Sequence, residues 1–203
     1  RFDRFASEYK KNLRIEDKMS LLNEAQDKIF ENRVSVAEIN SEVRNDLRVF
    51  EVKEAKLTKI GDKKDFSVFA LPSDFYHRLR IKAVATKKDC GSKEPSYEWE
   101  LILGDEGDQG VYVWHNGEFS IGSVIIDYYR KPQRLECAFL SKTGSYKNFD
   151  DVEINYDSDC EFDTMIWHSI VDLAVLIARA DIGDVRDFKI QSEKYFLKDK
   201  LEK

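Results

Sequence analysis

The chain is poor in the residues that punctuate, staple or specialise a protein. Of its 203 residues only three are proline, three cysteine and three histidine. Cys90, Cys137 and Cys160 are odd in number and share no C-x-x-C spacing, which excludes a self-contained disulfide framework and a zinc ribbon. Such usage fits a reducing compartment or a particle indifferent to redox. No long apolar run is present either. The most apolar stretch, residues 165–178, is interrupted by His168, Ser169 and Asp172, short of the ~18–20 apolar residues a membrane span needs. No membrane partner is expected. Positive charge is not in surplus: the net charge of −6 excludes a protein whose whole surface grips nucleic acid. The sequence opens on Arg1 rather than Met, which suggests that residues before it were removed by processing or trimming.

What is there describes a folded, well-hydrated protein. Hydrophobic residues make up 42% and charged residues 35%, with a mean hydropathy of −0.55. That is enough apolar material for one large domain or two small ones. Charge is distributed unevenly: residues 1–93 carry net +5, residues 94–163 net −11, and residues 164–203 are neutral. The acidic middle segment would repel DNA phosphates or attract a basic protein surface.

Periodicity assigns an α+β chain. Leu21, Leu22, Ala25, Ile29 and Phe30 share one helical face, and Ser35 with Glu38 reads as a capping box opening a second helix through Ile39, Val43 and Leu47. From residue 50 the period changes to two. Ala55 and Leu57 alternate, Gly61-Asp62 offers a turn, and Phe66, Val68 and Ala70 resume the alternation. Leu79, Ile81, Ala83 and Ala85 continue it, as do Tyr97, Trp99, Leu101 and Leu103. The stretch from Val111 to Phe119 reads as a hairpin turning at Asn116-Gly117. A last strand runs to Pro132. The middle block is therefore an antiparallel, sandwich-like β-domain. Asp163 or Thr164 then caps a helix to Ala180, apolar on nearly every side, and a more polar helix carries Val185, Phe188, Tyr195 and Phe196.

Chemical signatures are missing. The glycine-rich loop Gly104–Gly110 lacks the lysine of a phosphate-binding loop. Asp157, Asp159, Glu161 and Asp163 alternate in the manner of calcium's oxygen ligands, but no glycine turns the loop where it must. His168 and Asp172 lie one helical turn apart with no nucleophile in attendance. No enzyme, catalytic residue, cofactor or metal is expected. Aromatic side chains in the β-domain, among them Tyr97, Trp99, Tyr112 and Trp114, form either a sheet core or an exposed platform.

Three stretches together resemble the head-to-tail connector (adaptor, or ring) proteins of tailed bacteriophages, short-tailed and crAss-like phages in particular. Leu71-Pro72-Ser73-Asp74-Phe75-Tyr76 is similar to an LP-x-DF element, Ile126-Asp127-Tyr128-Tyr129-Arg130-Lys131-Pro132 to a YYR-x-P strand end, and Phe162 to Ala180 to the apolar helix that follows. The likeness spans residues 34–203. It implies a helical bundle built from both chain ends, residues 1–49 and 162–203, with the β-domain inserted as residues 50–161. It further implies a virion structural protein, assembled in the host bacterial cytoplasm, that forms a ring of about twelve copies beneath the portal protein. Such a ring extends the DNA channel at the portal vertex, lets DNA pass without specific binding, and docks the next tail component. Trp167, Ile170, Val171 and Leu176 are then the residues expected to pack subunits together, with Trp114 and His115 as partner contacts. Glu153, Asp157, Asp159 and Glu161 are the residues expected to face the channel. The alternative expectation is a monomeric module binding carbohydrate or peptide on an aromatic β-face.

Overall fold

The computed structural model describes residues 13–87, 97–100, 110–115, 119–141 and 143–181. Among these the chain is α+β, with three α-helices and antiparallel sheets, and it divides into two compact units. One unit takes in the residues up to Val49 together with those from Pro132 onward; the other is Phe50–Lys131. No helix among the described residues is long and apolar enough to cross a membrane.

In the first unit, α1 (Ile15–Val36) buries Met19, Leu22, Ala25, Phe30 and Val34 along one face. The helix does not stop at Ser35. Asn40, rather than Ser35, caps the short α2 (Ser41–Asp46), its Oδ1 accepting the Glu42 and Val43 N–H groups at 2.9 and 3.3 Å. Two donors on one amide oxygen outcompete a serine that lies inside the preceding helix, where its hydroxyl donates back to the Asn32 carbonyl. Ile39 falls in the break and is exposed. At the other end α3 (Thr164–Asp181) starts as its sequence signals: Asp163 Oδ1 accepts the Met165 N–H at 2.9 Å. Ile166, Ile170, Leu173, Ala174 and Ile177 form its buried stripe, and α3 packs on α1, with Phe30 edge-on to Phe162 at 6.4 Å. The more polar helix expected after Gly183 lies outside the described residues.

Between these helices in sequence, residues 132–161 group with the helices and not with the sheets, so the boundary falls after Lys131 and not after residue 161 as the resemblance implies. The cause is two buried amides on α1. Asn23 Nδ2 donates to the Leu135 carbonyl at 3.0 Å and Asn23 Oδ1 accepts the Leu135 N–H at 2.8 Å. One turn on, Gln26 Nε2 donates to the Gln133 carbonyl at 2.8 Å. Pro132, with no N–H to extend a ladder, marks the change of partner. The segment continues through a 3-10 turn (Ala138–Leu140) and a short ladder of β8 (Tyr146–Lys147) on β9 (Glu153–Ile154).

In the second unit a four-stranded sheet runs in the order β1 (Glu51–Lys56), β7 (Phe119–Arg130), β4 (Phe75–Lys87), β5 (Tyr97–Glu100). A three-stranded sheet runs β2 (Thr58–Asp62), β3 (Phe66–Ala70), β6 (Val111–Trp114). Both contribute to one core: Phe69, Val111 and Val113 from the smaller sheet, Ile81, Ala83, Val124 and Ile126 from the larger. The expected Asn116-Gly117 turn lies outside the described residues, and its flanking strands do not form a hairpin, because β6 pairs with β3 while β7 pairs with β4 and β1. Gly61-Asp62 belongs to β2, and the turn comes after it, closed by Lys63 N–H donating to the Phe66 carbonyl at 2.8 Å. β3 is inverted relative to the apolar alternation: Ser67 and Phe69 point inward, leaving Phe66, Val68 and Ala70 half-buried. In β4 a register shift between Arg78 and Arg80 moves Leu79 out of phase, so it is exposed while Ile81, Ala83 and Ala85 are buried.

Two of the stretches singled out in the sequence meet here. The Tyr128 hydroxyl on β7 donates to Asp74 Oδ1 at 2.8 Å, the Phe75 and Tyr128 rings lie 5.6 Å apart, and Lys131 N–H donates to the Asp74 carbonyl at 2.8 Å. Burial, then the Asp74 hydrogen bond, pushes the Tyr128 phenol up to about 12. A phenol whose folded value is raised loses its proton in the unfolded chain first. Its stabilisation is therefore complete below its ordinary value of 10.0 and lost as pH rises toward about 12. Tyr128→Phe is expected to lower stability at neutral pH by about 1 kcal/mol. It should also make the alkaline decline shallower, read from denaturant midpoints across that interval; parallel declines in both proteins would refute it.

Candidate interaction surfaces

The alternation of β3 and β6 sorts their side chains onto two faces. Val111, Val113 and His115 point into the unit; Tyr112 and Trp114 point out, with Phe66 opposite Trp114 and Val68 opposite Tyr112. The rings of Phe66 and Trp114 lie 4.8 Å apart at 45°, and those of Phe66 and Tyr112 5.8 Å apart at 50°. Trp114 remains 66% exposed. The trio is an exposed apolar patch, of the kind that marks interaction sites on protein surfaces. Lys63 and Lys64, both exposed, stand in the turn that leads into Phe66. Tyr112 and Trp114 were legible as an alternating pair, whereas Phe66 was assigned to the core face and so missed as their companion. The side chains of Tyr97 and Trp99 lie outside what is described.

Trp114 and His115, paired in the sequence reading, part company. His115 is buried, with Nε2 3.3 Å from Ser67 Oγ, and the Ser67 hydroxyl donates to Asp62 Oδ1 at 2.5 Å. The strand's two-residue period dictates this: where Trp114 faces out, His115 faces in. His115 thus lies beneath the surface that Trp114 presents. A serine, a histidine and an aspartate in hydrogen-bond reach invite comparison with a hydrolase triad. Here, however, the serine hydroxyl donates to the carboxylate, where a triad serine donates to the imidazole, and Ser67 is fully buried. The Ser67 hydroxyl, then Lys59, holds Asp62 below the usual carboxylate range. The group is structural.

A second surface lies in the helical unit. A cavity of about 650 Å³ opens between α1, the 3-10 turn and the start of α3. Its floor is apolar, formed by the buried Met19, Leu22, Leu135 and Phe162. Trp167 lines it half-buried, while Phe139, at 84% exposure, stands on its rim with Leu140. Its ionisable carboxylates are Glu136, Asp157 and Asp159, and among the described residues no lysine or arginine lines it. Glu136 is buried and accepts the Tyr146 hydroxyl; burial, reinforced by that bond, pushes the Tyr146 phenol well above its ordinary value. Cys160 also lines the cavity, its thiol pushed up by burial. The sequence pattern did not reveal this groove, because Phe139-Leu140 has no periodic context.

The remaining expected residues divide between packing and local bonding. Ile170 and Leu176 are buried within their own unit, Ile170 on the stripe that includes Ile166, Leu173, Ala174 and Ile177. Trp167 and Val171 are half-buried. His168 is exposed. Of the acids, Asp157 Oδ1 accepts the Phe139 N–H at 3.0 Å, Glu161 Oε2 accepts the Gln133 N–H at 2.7 Å, and Glu153 accepts the Ser145 hydroxyl at 3.1 Å. Asp159 is exposed beside the groove. Among the described residues no three His, Cys, Asp or Glu side chains come together as a metal site. Comparison with protein-family models and with curated proteins finds no match to this chain.

Proposed function

We propose that the chain is a virion structural protein, a subunit of the head–tail adaptor ring beneath the portal of a tailed bacteriophage. In this reading the ring extends the DNA channel and docks the next tail component. The observation that carries it is the meeting of Leu71–Tyr76 with Ile126–Pro132, the two stretches bearing the resemblance, through the Tyr128–Asp74 bond and the Phe75–Tyr128 ring pair. Stretches far apart in sequence but joined in space behave as one structural signature. The pairing of α1 with α3, drawn from either side of the β-strands, further supports a helical bundle with an inserted β-domain. Two separate surfaces left open on one chain suit a subunit that touches more than one neighbour. Light scattering on size-exclusion fractions, with and without the portal protein, is the test. A stoichiometric ring that co-elutes with the portal is expected. A chain that stays monomeric with the portal present, and is missing from purified virions, would sink the reading.

The Phe66–Tyr112–Trp114 trio favours a second reading, a monomeric module binding carbohydrate or peptide on its aromatic face. Glycan-array or peptide screening separates the two: saturable binding by a monomer, lost in Trp114→Ala, selects the module.

A further inference from the structure

The aromatic face of the sheet unit and the acidic-rimmed groove of the helical unit are complementary in charge, and one offers exposed rings where the other offers a cavity. One is an apolar surface of Phe66, Tyr112 and Trp114, Trp114 being 66% exposed, with Lys63 and Lys64 beside it. The other is a concave, apolar surface of about 650 Å³ bounded by Asp157 and Asp159 and lined, among the described residues, by no lysine or arginine. We propose that these two surfaces bind each other between copies of the chain, the Trp114 face of one copy seating in the Trp167 groove of the next.

Each surface is unsuited to pairing with itself. Two aromatic faces would bring the lysines of two copies together, and two grooves would bring their carboxylates together while leaving both cavities unfilled. The cross pairing removes both problems. It covers Trp114 and Phe139, the ring and the rim left most exposed on the two surfaces, and sets Lys63 and Lys64 against Asp157 and Asp159. Tryptophan and tyrosine seated in an apolar pocket with charge at the rim is the composition of an interface hot spot. A contact between unlike patches is heterologous. Repeated by a pure rotation it closes into a ring, and repeated with a rise it grows into a filament. The inference therefore rests on the adaptor-ring reading for closure, but the contact itself does not. It also assigns Asp157 and Asp159 to the subunit contact instead of the channel wall.

Capping variants of the full chain test it. Trp114→Glu destroys the aromatic face and keeps the groove; Phe139→Glu with Leu140→Glu destroys the groove's rim and keeps the face. All three side chains are at least 49% exposed, so the fold should survive, which circular dichroism and melting confirm. In sedimentation equilibrium each variant alone is expected to be monomeric where the wild type assembles. An equimolar mixture should form dimers and stop there, because each pair contains one intact face, one intact groove and two dead ends. Asp157→Asn with Asp159→Asn retains the side-chain acceptor for the Phe139 N–H, and is expected to weaken association about tenfold at low salt and to flatten its salt dependence. Variants that assemble like the wild type, or a mixture that yields no dimer, overturn this interface while leaving the portal-docked ring reading intact. A wild type that stays monomeric at its highest soluble concentration also overturns it, whatever the result with the portal.

Discussion

Asn23→Ala is expected to loosen the helical unit where residues 132–141 lie on α1. The Asn23 amide is 5% exposed and holds both backbone groups of Leu135, donating to its carbonyl and accepting from its N–H at 3.0 and 2.8 Å; it also donates to the Met19 carbonyl at 2.9 Å. Alanine removes the partner but leaves Leu135 buried, so a donor and an acceptor lose their bonds where water does not replace them. Each orphaned group costs about 1–3 kcal/mol, giving a total of about 2–6 kcal/mol. In a chain of this size that lowers the melting temperature by roughly 4–24 °C. The damage should be local. Native-state hydrogen exchange is expected to show faster exchange at Leu135 and along residues 133–141, with the core of the sheet unit unchanged. Gln26→Ala, which orphans the Gln133 carbonyl and the weak Cys160 thiol donor, should follow the same pattern with a smaller loss. A stability change below about 1 kcal/mol for Asn23→Ala would mean that the segment is held by its apolar contacts alone.

That amide pair also marks where sequence reading reaches its limit. Apolar periodicity located α3 and its Asp163 cap, because an eighteen-residue helix repeats its signal several times. It located most β-strands for the same reason. It misplaced the boundary after Lys131, since two polar residues on a helix look like a solvated stripe until one sees that they face inward. It misread β3 because Phe66, Val68 and Ala70 are the more regular apolar set, yet Ser67 is tolerated inside once Asp62 and His115 supply its hydrogen bonds. Short-range signals in β6 and β7 argued for a hairpin, and a long-range choice of partner, β3 for one and β4 for the other, overrode them. The candidate surfaces were half legible. Trp114 followed from strand alternation, and Trp167 from its place on the apolar helix. The groove did not follow, because its walls come from three distant segments and its most exposed apolar residue, Phe139, sits in a 3-10 turn without a repeating pattern.

Gly110→Ala should disrupt the smaller sheet outright. Gly110 precedes β6 with φ +156°, and a methyl group added there would lie 2.2 Å from the Phe69 carbonyl oxygen and 3.1 Å from its carbon. Both neighbours are backbone atoms of β3, the central strand of its sheet, so neither can swing aside as a side-chain tip would. Relief requires breaking the ladder that sets Phe69 opposite Val111, and Phe69 is 1% exposed in the core of the unit. The unfavourable φ alone costs about 1–3 kcal/mol. Displacing β6 adds lost burial at Val111 and Val113, about 1.5–3 kcal/mol for each side chain fully exposed. Gly144 provides the control: its φ of +74° is also left-handed, but nothing lies within 4 Å of an added methyl group, so Gly144→Ala should show the conformational strain without the collision. Chemical denaturation is expected to rank the two variants clearly, with Gly110→Ala the more damaged, and hydrogen exchange should place its loss in β2, β3 and β6. Because Phe66, Tyr112 and Trp114 hold their places through this sheet, the same variant should also lose the aromatic face, detected, with Trp99 and Trp167 replaced by Phe, as a red shift of Trp114 emission toward that of a fully hydrated indole. Equal stability of the two alanine variants would show that β6 can shift away from β3 at little cost, and the aromatic face would then be an adaptable surface rather than a fixed one.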